Sequence, residues 1–242
     1  MTSRMDILTE LEKELYCPVG SIVYHDESDI KWGDWERIVD FFNNFTKKEN
    51  LALILHGEGG HPIGASKIAL YLRQIFNRKL ITLIPEKAAS AMSYIWLVSN
   101  EAWFCSNTVA TQINIVFHNG RTWICPKEHL RDDDTVTGDI SKLCYDTDYN
   151  LLKKILYRKD TIMGGRLSKQ TEPDLFIDNI FERTHKRDTH DYPLTIKTLQ
   201  DYGFNIKKPE IKVERLLKDY VNSAKADILG NKKSYLCETK RE

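Results

Sequence analysis

A serine and two glycines stand out in this chain, because their types and spacing fit acyl-transfer chemistry. Gly59 and Gly60 close the segment LALILHGEGG, and Ser90 follows thirty positions after Gly60 in LITLIPEKAASAM. A glycine has no Cβ, so its backbone can approach a ligand closely and turn an N–H toward it. A serine hydroxyl becomes a nucleophile when a base takes its proton, and N–H groups nearby stabilise the oxyanion that the attack creates. Ala88, Ala89 and Ala91 keep the surroundings of Ser90 small, which leaves room for a substrate carbonyl. A helix starting at Ser90 would aim free N–H groups and its positive dipole end at the developing charge. In this reading Ser90 attacks, and the amides of Gly60 and Ala91, beside Gly59, receive the oxyanion. The same residues have ordinary uses too. Paired glycines make tight turns, and serine leads the preference for helix N-caps.

Chemistry of this kind requires both segments to end at one place. LALILH (51–56) has almost no polar alternation, as expected of a parallel strand covered on both faces. Residues 65–76 place Ile68, Ala69, Leu72, Ile75 and Phe76 on one helical face, and LITLI (80–84) reads as the next strand. A strand–helix–strand crossover brings the glycines and Ser90 to the same edge. Helices are also expected over 5–16, 34–45 and 90–99, and strands over 21–25 and 101–105. VATQINIVF and TWIC read as strands joined through Asn119-Gly120, a hairpin signal. The stretch from Asp132 to Ser141 reads as a solvated loop. Helices are expected over 149–157, 175–183, 195–202 and 213–224, with a frayed polar tail from Gly230. This order implies an α/β core with a helical C-terminal part. The expected division is a domain over 1–206 and a C-terminal helix with tail over 207–242.

Composition narrows the function. Lys+Arg and Asp+Glu balance at 35 each, so bulk charge gives no reason to expect nucleic acid or a membrane surface as partner. No run approaches the roughly 18 apolar residues of a membrane-spanning helix. The charged N-terminal segment lacks a secretory apolar core. Five scattered cysteines without a C-x-x-C spacing point to reduced thiols and a cytoplasmic setting.

LHGEGG (55–60), PEKAASAMS (85–93) and THDYP (189–193), the last followed by LTIKTLQDYGFNI, occur in that order. They resemble the serine dehydrogenase proteinase family, a branch of the Clp protease/crotonase superfamily related to signal peptide peptidase A. Its members carry segments like LHTPGG, PHYAMSAGT and THDYP. The likeness runs over roughly residues 8 to 206. The resemblance implies a Clp/crotonase-like fold of stacked βαβ units and cofactor-free serine peptidase chemistry, with Ser90 as nucleophile and Gly60 and Ala91 as donors. It also implies a peptide or protein substrate, a homo-oligomer and a possible partner protein. GEGGHPIG lacks the spacing of a nicotinamide fingerprint.

Three positions depart from the family pattern. Met92 stands where glycine is usual and is expected to narrow the space beside the nucleophile. Asn114, in Thr111-Gln112-Ile113-Asn114, replaces the acid of a GPVD-like segment. Glu58 replaces the proline of the TPGG turn.

The resemblance leaves several proton acceptors open. Lys153 lies on a helix that aligns with a lysine-bearing helix of the family, and Lys142 has spacing like that of the peptide peptidases. A lysine base must be desolvated enough to be neutral near pH 7. His118 lies near the distance expected of a Clp-like histidine. His190 belongs to THDYP, where it either serves as base or clasps the turn before Pro193 with Asp191. His185, Asp188 and His190 lack the supporting cluster a metal would need, so neither metal nor cofactor is expected. His56 and His61 flank the glycine turn, His56 as the end of a buried strand. Beside the peptidase stand a degenerate Clp-like scaffold that binds without cleaving and an acyl-CoA enzyme of crotonase type. The last would not need a serine at this point.

Overall fold

The computed structural model describes residues 3–43, 50–111, 117–118, 123–124, 136–164 and 193–239. The chain opens with α1 (Arg4–Leu15), where the Ser3 hydroxyl accepts from the Asp6 N–H and the Asp6 carboxylate accepts from the Ser3 N–H. β1 (Val19–Tyr24), α2 (Asp34–Asn43), β2 (Asn50–His56), α3 (Pro62–Ile75) and β3 (Lys79–Ile84) follow. Next come β4 (Lys87–Ala88), a 3-10 turn over Ser90–Met92, α4 (Ser93–Leu97), β5 (Glu101–Phe104) and β6 (Val109–Thr111). The remaining elements are β7 (Phe117–His118), β8 (Trp123–Ile124), α5 (Val136–Leu156), β9 (Pro193–Leu194), α6 (Ile196–Asp201), β10 (Ile206–Lys207), α7 (Ile211–Gly230) and β11 (Tyr235–Thr239).

The main sheet runs β10-β5-β3-β2-β1-β11, with every pairing parallel except that of β11 with β1. This is the α/β, parallel-rich architecture expected from the apolar runs. Strand β2 shows why those runs lack alternation. Leu51, Leu53 and Leu55 enter a core shared with α2, α3 and α4, whereas Ala52 and Ile54 enter a second core under α1 and α7. Both faces are dry over Leu51–Leu55, and that run carries apolar side chains of both parities. Arg73 of α3 is buried and ties this helix to later chain through Asn100 Oδ1 at 2.7 Å and Asp160 at 3.4 Å.

A small second sheet, β4-β6-β9, carries the site. β4 is parallel to β6, and β6 is antiparallel to β9, so the end of the THDYP segment lies beside the chain that follows the crossover. β7 and β8 pair antiparallel, with His118 opposite Trp123, in agreement with the expected hairpin.

Two expectations are overturned. Residues 136–141 are helical, not loop, because α5 starts a dozen positions earlier than its apolar pattern suggests. Its first turns bury Gly138 and Ser141 while Ile140 and Leu143 are exposed, which hides the period. The tail is not frayed: β11 adds an antiparallel strand to the edge of β1, with Tyr235 stacked on Tyr24 at 5.0 Å. Glu238 of that strand accepts from Arg4 at 2.8 Å and from the Tyr220 hydroxyl at 2.9 Å, so polar residues gain tertiary partners. Residue 206, where the expected first domain ends, lies within β10. The helix expected over 175–183 falls outside the described residues. Among the described residues no helix is long and apolar enough to cross a membrane.

Candidate active site

The ends of β2 and β4 meet. The Gly57 N–H donates to Lys87 O at 3.0 Å and the Ala89 N–H to Gly57 O at 3.1 Å, a parallel bridge that carries the chain past both strand ends. Glu58 and Lys87 form an ion pair across this bridge. The two glycines that follow are required for different reasons. Gly59 has φ 121° and packs on the serine turn: a Cβ there would lie 2.7 Å from Ser90 Cβ and 3.0 Å from Ala91 N. Gly60 has φ 120°, and a Cβ there would lie 2.5 Å from the Ile30 N atom. The Ile30 N–H donates to Gly59 O at 2.7 Å and the His61 N–H to Ile30 O at 2.8 Å, which clamps the turn from behind. Both backbones are close-packed at angles that L side chains rarely adopt.

Ser90 itself has φ 47°, a left-handed conformation uncommon for a residue with a side chain. Ala89 before it is extended, and the Met92 N–H donates to Ala89 O at 3.0 Å to close the 3-10 turn. The N-cap reading of Ser90 does not hold, since the cap position of this turn is Ala89 and no side chain caps either it or α4. The expected helix over 90–99 is also corrected. It is a 3-10 turn plus the five residues of α4, because left-handed Ser90 and the Ser99-to-Trp96 bond interrupt it at both ends. So short a helix has little macrodipole, and any anion stabilisation must come from individual amides. Among the described residues, neither the Gly60 nor the Ala91 N–H has an acceptor. The Ser90 N–H does have one, the Thr111 hydroxyl at 2.9 Å.

Met92 does not narrow the space beside the serine. It is fully buried, and its Cε would lie 2.5 Å from a Cβ placed on Gly57, so the thioether fills the hole beneath β2 that Gly57 leaves. Gly57 stands where LHTPGG has threonine, and Met92 where PHYAMSAGT has glycine. One small-to-large exchange is matched by one large-to-small exchange in contact with it.

The candidate bases are less well joined to Ser90. Lys153 lies half-buried on α5, its ammonium 5.3 Å from the ring centre of Tyr149 and 5.6 Å from that of Tyr157. Leu152, Ile155 and Leu156 of the same helix face the core. Lys142 is exposed. Among the described residues no side chain hydrogen-bonds the Ser90 hydroxyl. His190, His185, Asp188 and Asn114 lie outside the described residues, as does the side chain of His118. The one described part of THDYP is Pro193, paired with Thr111 across β6 and β9. His61 caps α3, its Nδ1 accepting from the Gly64 N–H at 3.3 Å, and meets the Trp32 ring edge-on at 5.1 Å.

A second polar cluster, not foreseen from the sequence, hangs from the other face of β2. His56 Nε2 donates to Asp26 Oδ1 at 3.0 Å, and Lys225 of α7 reaches Asp26 at 3.0 Å and Glu86 at 2.9 Å. Burial lowers the His56 pKa, opposed in part by the Asp26 bond, so the imidazole is held neutral. Burial would raise Asp26, but bonds from Lys225 and His56 outweigh it and keep the carboxylate ionised. The four residues are far apart in sequence, and no local pattern joins them. Among the described residues no group of three or more His, Cys, Asp or Glu is placed to hold a metal ion.

No protein-family model matches the chain, and no curated protein matches it in sequence. Two solved structures superpose on it in part. One is the 1510-N membrane-bound stomatin-specific protease, in a serine-to-alanine mutant form, 15% identical, covering 81% of this chain and 82% of its own, with a TM-score of 0.49. Another is ClpP1 from Listeria monocytogenes, 14% identical, covering 80% of this chain and 94% of its own, with a TM-score of 0.47. The functional reading therefore rests on the geometry of this chain.

Proposed function

We propose that this protein is a Clp-like serine hydrolase acting on peptide or protein chains. The observation that carries the reading is the state of the Ser90 turn: a left-handed serine packed on Gly59, with no acceptor for the Ala91 and Gly60 amides among the described residues. Ala91 is buried, and buried N–H groups are nearly always paired in a folded protein. An amide with no acceptor among the described residues, together with that of Gly60 beside a strained serine turn, suits an anion that forms during reaction. Ser90 Oγ attacks the substrate carbonyl carbon and loses its proton to a base. The carbonyl oxygen, now negative, takes the two amides. Collapse expels the amine, which leaves with a proton from the same base, and water then cleaves the acyl-serine by the reverse sequence. Lys153 and His190 remain the candidates for that base.

The test is labelling of the intact protein by a fluorophosphonate probe. Labelling that disappears in Ser90→Ala supports the reading; labelling indifferent to that change removes it. A second reading, a Clp-like scaffold that binds chains without cutting them, draws on the absence of a described base bonded to the Ser90 hydroxyl. Peptide cleavage by the parent protein that is lost in Ser90→Ala would exclude the scaffold.

A further inference from the structure

Among the described residues, Ser90 N–H is the one amide of its turn that a side chain holds. Its acceptor, the Thr111 hydroxyl, is buried and ends β6. Three facts place that hydroxyl. β4 runs straight into the serine turn, and Ala88 is paired with Ala110, one residue before Thr111. On the other side of β6, Thr111 itself is the register partner of Pro193. A strand held on both sides offers its terminal side chain little freedom. The residue also stands at the glycine of a GPVD-like segment, where no hydroxyl would be present, so this contact belongs to the present chain and not to the motif it resembles.

We propose that Thr111 is a positioning residue for Ser90, holding the nucleophile turn in its left-handed conformation, and that Pro193–Leu194 acts on the site by bracing Thr111. The inference rests on Ser90 being the nucleophile. A left-handed residue with a Cβ is disfavoured, by an amount that one charge-free hydrogen bond can offset. Without it, Ser90 relaxes toward ordinary helix geometry. The bond has two effects on chemistry. It withdraws the Ser90 amide from the set of oxyanion donors, and it sets the plane of the Ala89–Ser90 peptide, from which Oγ and the Ala91 N–H both take their direction. The late THDYP segment thereby gains a physical route to the serine that does not require its histidine to be the base.

The experiment compares the full-length parent with Thr111→Val, which keeps shape and loses the hydroxyl, and Thr111→Ser, which keeps the hydroxyl. Fluorophosphonate labelling is resolved into a maximal rate and a half-saturating concentration. Thr111→Val is expected to lower the maximal rate about ten- to hundred-fold, the cost of a displaced reacting group, with the half-saturating concentration unchanged. Thr111→Ser is expected to restore most of it. Equal slowing in both variants, or parent-like labelling of Thr111→Val, overturns the proposal. Amide exchange at Ser90 gives a readout that needs no activity: protection in the parent and Thr111→Ser and its loss in Thr111→Val support the hold, and equal protection in all three overturns it. If Ser90 is protected in this pattern but never labelled, the nucleophile reading fails while Thr111 still holds the turn.

Discussion

Two polar clusters hang from the end of β2, and they are built on opposite plans. His56 turns to the α7 face and meets Asp26 and Glu86, two acids that share the one ammonium of Lys225. Gly57, one residue later, turns to the other core, and the chain beyond it leads to a serine turn where two amides have no acceptor among the described residues. By composition the first looks more like an active site: it has a histidine, two acids and a lysine. By its contacts it looks like a brace, since Lys225 ties α7 to both Asp26 and Glu86, although the buried Nδ1 of the neutral imidazole has no described hydrogen-bond partner. The second cluster has no described charge on the serine. Its signs of chemistry are backbone strain and amides with no described acceptor. Perturbed titratable groups attend structural networks as well as active sites, and the difference here lies in the strained backbone of the serine turn.

That contrast breaks most readily at Gly59. Gly59→Ala places a methyl within 2.7 Å of Ser90 Cβ at a φ of 121°. It should destabilise the fold by about 1–3 kcal/mol from the backbone alone and lower Ser90 labelling at least about hundred-fold. Denaturant melts and the labelling rate check the two effects, and unchanged labelling would mean that the turn is not the reactive centre. A smaller effect sharpens the account of Met92. Gly57→Thr should cost about 1–3 kcal/mol by overpacking, and Met92→Gly about 2–5 kcal/mol by leaving a cavity. Together they should cost at least about 1 kcal/mol less than the sum, a coupling measured by a double-mutant cycle. Additive costs would show that the two positions do not compensate each other.

The smallest effect concerns the brace. Because the folded state lowers the His56 pKa below its ordinary 6.5, the unfolded chain binds the proton more readily. The stability contributed by neutral His56 is therefore complete above pH 6.5 and is lost as pH falls through that value toward the folded pKa. Asp26, also lowered, adds its own loss only below its ordinary 3.8. Stability measured against pH should decline below 6.5 in the parent and flatten in His56→Gln across that window. Per-molecule Ser90 labelling at neutral pH should be the same in both. A flat parent curve would show that His56 is not held neutral.

Much of the frame was legible. The unbroken apolar run Leu51–Leu55 and the run Leu80–Ile84, broken only by Thr82, read as strands wet on neither side, and a helix between them brings the glycines and Ser90 together. The tail was not legible, because YLCET carries its polar residues toward partners, Arg4 and Tyr220, more than a hundred residues distant or on another helix. Residues 136–141 were misread because polar and exposed apolar positions break the helical period there. Met92 was misjudged for a related reason: sequence places it two residues from the serine, while the direction of its side chain is set by the void at Gly57.

Sequence by itself determined the apolar strands, the crossover between them, and the presence of paired glycines and a serine at its two ends. These follow from local composition and period, which neighbours along the chain are enough to express. Tertiary structure decided which glycine touches Ser90, which amides have no described acceptor, that Thr111 holds the serine N–H, and that His56 belongs to a brace. Each of these depends on a contact between segments joined only by the pairing of strand ends, and such contacts leave no period in the sequence.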